Sequence, residues 1–65
     1  MTLEEVANWF SARGVDYSPP EQRGDLWVAG YQAEHLGKWW MFAGETAEKA
    51  ADSAYTNARA LHRSS

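Results

Sequence analysis

Between residues 47 and 61, Ala47, Ala50, Ala51, Ala54, Tyr55, Ala58 and Leu61 recur at one helical spacing. Such spacing marks one face of an amphipathic helix. It predicts a helix over 47–62, with Thr46 as its N-cap after the break at Gly44. An inner face made almost wholly of alanine lets the helix axis come close to whatever it covers. The covered layer must then supply the bulk. Four Trp, three Tyr and two Phe are available for this. They are needed, because a chain of this length buries only about 60% of the surface its unfolded form exposes. There are no cysteines, so no disulfide and no thiolate-bound zinc can assist. One domain over 1–65 is expected.

The rest of the chain supplies that layer. Thr2-Leu3-Glu4-Glu5 reads as a capping box. Leu3, Val6, Ala7 and Phe10 follow on one stripe, and Gly14 suits a left-handed C-terminal cap with Val15 packing back on Phe10. A first helix is expected over 3–13. Val15 to Ser18 is a short candidate strand that Pro19-Pro20 should end, since neither proline can donate to a ladder. A loop to Asp25, a strand over 26–33, a turn over 34–37 and an aromatic strand over 38–43 complete the pattern. The fold class expected is α+β in the order α-β-β-β-α: a three-stranded antiparallel sheet with both helices on one face.

That order has a consequence for charge. Alternating directions place both helix starts and the 19–25 loop at the same end. Glu4, Glu5, Glu21, Asp25, Glu45 and Glu48 should gather there, with Arg23 as the base among them. Arg13, Lys38, Arg59, Arg63, His35 and His62 should lie at the opposite end with Glu34 and Asp16. Acids at helix starts complement the helix dipole. Glu21 and Asp25, in the loop, have no such reason. A net charge of −3 opposes binding to nucleic acid through phosphates and favours a basic protein surface.

The aromatic strands offer a second surface. Neighbouring strand residues point to opposite faces, so Trp39 and Trp40 cannot both enter the core. Pairing Gln32 with Lys38 would put Trp40 and Phe42 on the open face beside Lys38. Trp27, Ala29, Tyr31, Trp39 and Met41 would then form the core. A one-residue slip regroups them all. Trp40, Phe42 and Lys38 are the alternative binding residues on this reading.

Motifs for catalysis are missing from the sequence. No phosphate-binding glycine loop and no nucleophile elbow occurs. His35 and His62 lack a second ligand at metal spacing. No apolar run approaches the roughly 18 residues of a membrane span. The N-terminus lacks a basic start followed by an apolar stretch. A cytoplasmic, monomeric, cofactor-free protein that is not an enzyme is expected.

Residues 43–61 resemble the last strand and helix of double-stranded RNA-binding domains, a family with the same α-β-β-β-α order. In that family a Ser and following lysines grip phosphates. Here Thr46 matches the Ser, while Ala47, Glu48 and Ala51 stand where the lysines would be. The resemblance implies the topology and not the RNA function. The Trp-rich strand followed by Gly44-Glu45-Thr46-Ala47 and an alanine helix is also similar to small phage α-β-α sandwich proteins. Size, acidity and the lack of catalytic groups resemble anti-CRISPR inhibitors that block DNA recognition by a type I Cascade effector. That likeness is one of type and assigns no residue. It implies an inhibitor whose acidic end meets a basic, nucleic-acid-handling surface. The alternative is an interaction module or homodimer using the aromatic open face.

Overall fold

The computed structural model describes residues 2–33 and 37–64. The elements are α1 (Leu3–Ala12), β1 (Tyr17–Arg23), β2 (Leu26–Ala33), β3 (Lys38–Gly44) and α2 (Ala47–Ser64). The strands form one antiparallel sheet in the order β1-β2-β3. Both helices pack on the same face, as the sequence predicts.

The helix ends follow local chemistry. Glu5 N–H donates to Thr2 Oγ1 at 3.1 Å and Thr2 N–H donates to Glu5 Oε1 at 3.0 Å, closing the capping box. At the other end Gly14 takes φ +68°, Gly14 N–H donates to the Ser11 carbonyl and Val15 N–H to the Phe10 carbonyl. That pair of bonds is a Schellman motif, and it turns Val15 back against Phe10 and the core. α2 starts with Lys49 N–H donating to Thr46 Oγ1 at 3.1 Å.

Tyr31 stands at the centre of the core. Ala51, Ala54 and Ala58 of α2 and Val6 and Phe10 of α1 are buried around it. The Phe10 ring stacks on Tyr17 at 4.8 Å and on Tyr31 at 5.4 Å, and Tyr31 stacks on Phe42 at 6.0 Å. Trp9, absent from the expected stripe, joins the helices by an edge contact with Tyr55 at 5.2 Å. Gly44 shows how near the alanine helix lies. A β-carbon there would sit 2.6 Å from the Ala50 nitrogen and 2.9 Å from the Lys49 carbonyl carbon.

Two expectations are corrected. β1 does not stop at Pro19-Pro20 but runs through them to Arg23. Its register with β2 shifts between Ser18 and Glu21, so the two prolines oppose Ala29 alone. Gln32 N–H donates to the Asp16 carbonyl, which directs the even-numbered β2 residues toward β1 and Ala29 toward β3. The prolines therefore sit where β2 presents nothing to pair with, on an edge strand.

The second correction is the register of β3. Ala33 pairs with Lys38, and Gln32 pairs with Trp39 rather than Lys38. Trp40, Phe42 and Gly44 consequently share the helix face with Trp27, Ala29 and Tyr31. Trp39 and Met41 lie on the open face, each 49% exposed. The close approach of α2 explains the choice, because only a glycine at the end of β3 can face the start of that helix. Of the expected turn at 34–37, only Gly37 is among the described residues, at φ +63°.

The core polar groups differ in a testable way. The Tyr31 hydroxyl donates to Asn57 Oδ1 at 2.6 Å. The buried Tyr17 hydroxyl has no hydrogen-bond partner among the described residues. Asn57→Ala should cost about 1–3 kcal/mol in urea unfolding by leaving the Tyr31 hydroxyl unmatched, whereas Tyr17→Phe should be neutral or stabilising. Gly44→Ala should cost about 1–3 kcal/mol, because helix backbone must move. Burial raises the pKa of both phenols above the ordinary value, with Asp52 adding to the effect at Tyr17. Folding then favours the protonated phenols. Their contribution is complete below about pH 10 and lost as pH rises through the folded-state values, so stability should fall on the alkaline side. The double Phe variant should flatten that fall.

Candidate interaction surfaces

The open face of the sheet carries Ser18, Glu21 and Arg23 from β1, Leu26, Val28, Gly30 and Gln32 from β2, and Trp39, Met41 and Ala43 from β3. No helix covers it among the described residues. Leu26 is 45% exposed, and with Val28, Ala43, Met41 and Trp39 it forms an apolar band from one end of the sheet to the other. The exposed part is on the order of 300 Å², a size at which the largest patch on a monomer is often functional.

Gly30 shapes the middle of this band. A β-carbon there would clash with the Trp40 carbonyl and lie 2.5 Å from the Met41 sulfur. Met41 therefore folds across a position without a side chain. The face stays shallow, with Trp39 and Met41 half exposed on it. At the rim, Arg23 and Glu21 form an exposed pair at 3.9 Å.

Trp40 and Phe42, the expected open-face residues, pack against the core instead. Lys38 is exposed but lies in the helix-face row. The residues that sequence reasoning missed for this surface are Trp39, Met41 and Leu26. One signal was present: a strand ending at Ala33 and a turn over 34–37 already imply the pair Ala33–Lys38.

The antiparallel connections bring Glu21, Asp25, Glu45 and Glu48 to one end of the sheet. Glu4 and Glu5 occupy the first turn of α1, whose later residue Phe10 docks on Tyr17 and Tyr31 toward the other end of the strands. The acidic character is diluted relative to expectation. Glu21 meets Arg23, and Glu45 meets Lys49 at 3.5 Å, so a second cation joins that end. Glu5 accepts the Thr2 amide, which holds its carboxyl below the ordinary range. Glu4, Asp25 and Glu48 are exposed, and no ion pair to them occurs among the described residues. Of the expected basic end, Arg13 is engaged locally: its guanidinium lies 3.9 Å from the Trp9 ring centre and its Nη1 donates to the Trp9 carbonyl. The His35, His62, Arg63 and Glu34 side chains lie outside the described residues.

A third feature is an open groove of about 730 Å³ between the outer edge of β3 and α2. Phe42, Ala43 and Gly44 line one side, and Lys49, Asp52, Ser53, Thr56 and Asn57 the other. Among the described residues no three His, Cys, Asp or Glu side chains are placed to hold a metal ion. Among the described residues no helix is long and apolar enough to cross a membrane. Neither a family model, nor a curated protein, nor a solved structure matches this chain.

Proposed function

We propose that the chain is a protein-binding module, without catalytic activity, that works through the open face of its sheet. The half-exposed side chains of Trp39 and Met41 carry this reading. The core already takes Trp40 and Phe42 from the same strand, so Trp39 and Met41 are not needed to fill it. Large aromatics in a desolvated centre dominate protein interfaces. The Glu21–Arg23 pair and Gln32 supply a polar rim. Trp39→Lys and Leu26→Lys should each weaken the partner complex by about 2 kcal/mol or more, some 30-fold, with helical content and unfolding midpoint nearly unchanged. Calorimetric titration against the partner purified with the wild-type chain reads this. Unchanged affinity in both variants rules the open face out.

A second reading rests on Glu4, Asp25 and Glu48, exposed carboxylates in a chain of net charge −3. Here the acidic end faces Lys and Arg on a protein that handles DNA or RNA, as an anti-CRISPR inhibitor of a type I Cascade would. Charge of this kind governs encounter rate and salt sensitivity more than final affinity. Changing all three to Lys should then abolish inhibition of DNA binding and remove most of the dependence on salt. A triple variant that inhibits as well as the parent ends this reading.

A further inference from the structure

The two edges of the sheet are built differently. The β1 edge is interrupted by Pro19-Pro20 and a register shift, two devices that prevent strand pairing. The β3 edge has neither. Its seven residues pair with β2 without a break from Lys38 to Gly44, and the strand contains no proline. Gln32 N–H points to β1, so Tyr31 and Ala29 direct their backbone toward Trp40 and Phe42. The backbone groups of Trp39, Met41 and Ala43 then point outward, away from β2.

We infer that this edge, which no strand among the described residues covers, pairs antiparallel with β3 of a second copy of the chain. A two-fold axis at Met41 gives an in-register pairing in which Met41 faces Met41 of the second copy and exchanges both backbone hydrogen bonds with it. The same register puts each Trp39 opposite Ala43 of the other copy. Large meets small on the open face at both ends of the pair. On the helix side the groove supplies clearance, because its outer wall includes the short, exposed side chains Ser53 and Thr56. Pairing through β1 is blocked by its prolines, so the contact closes as a dimer and does not propagate into a filament.

The size of the contact sets its strength. An edge roughly 23 Å long, on a molecule 17 Å across its thinnest direction, offers on the order of 400 Å² per chain. That is the low end of specific interfaces, where association is weak and depends on concentration. The product is a six-stranded sheet in which the two apolar bands join into one surface. This inference goes beyond the open-face reading, since pairing extends that face and does not cover it.

Sedimentation equilibrium from about 10 µM to about 1 mM should show the mass rising from 7.3 kDa toward twice that value. Amide hydrogen exchange over the same range should slow at least tenfold at Trp39, Met41 and Ala43, with the amides facing β2 unaffected. Ala43→Pro removes one outward N–H and should hold the chain monomeric. Leu26→Lys, at the far side of the open face, should leave dimerisation intact. A single 7.3 kDa species throughout, with concentration-independent exchange at the three amides, overturns the inference. A dimer abolished by Leu26→Lys but not by Ala43→Pro also overturns it, by showing face-to-face stacking. Should Ala43→Pro fail to fold, the exchange data on the parent chain decide alone. Partner binding lost in Trp39→Lys with edge protection retained separates the open-face reading from this one.

Discussion

The contact between the alanine face of α2 and the aromatic layer of the sheet governs most of this molecule's architecture. Ala50, Ala51, Ala54 and Ala58 are fully buried, and none adds bulk beyond one methyl group. The volume between helix and sheet is filled from the other side, by Phe10, Tyr31 and Phe42 stacked in that order. A stacked row of rings has little freedom to rearrange, so it fixes the separation of the layers. It also leaves one buried hydroxyl to be matched, which Asn57 does.

That separation decides the fate of the remaining aromatics. Because the start of α2 rests on Gly44, the row containing Gly44 must face the helix. Trp40 and Phe42 belong to that row, and Trp39 and Met41 are left on the other. Gly30 then lets Met41 lie flat across the open side. The binding surface proposed for this protein is thus a by-product of helix packing on the opposite face. The charges have a similar origin in local structure. Glu5, Glu21 and Glu45 each meet a local partner, which leaves a more modest acidic end than composition suggests.

Much of the fold was legible in the residues because its signals are local. Thr2 with Glu5, Gly14 with Val15, and Thr46 each announce a helix boundary through hydrogen bonds spanning five residues or fewer. The β2 strand, bounded by turn residues, was legible to the residue. The prolines misled, because whether a strand tolerates proline depends on its neighbour. Pro19 and Pro20 are harmless opposite Ala29, whose backbone faces β3, and their own residues do not report that. The open face differs from the sequence expectation by one residue of β3 register. The polar side chains of Gln32 and Lys38 suit a cross-strand pair, but the strand and turn boundaries place Ala33 opposite Lys38, and a shift of one residue exchanges the two faces of β3.

The sequence by itself determined the element order, the helix caps, the absence of any disulfide and the need for an aromatic layer against an alanine helix. Those depend on periodicity, on near neighbours and on composition. Only the tertiary structure decided which of Trp39 and Trp40 packs against the core, how the prolines fit the ladder, and that the β3 edge is left without a pairing strand among the described residues. Each of those turns on the register between strands far apart in the chain and on how closely α2 approaches Gly44. A side chain alternating between two faces carries no record of which face another element will cover.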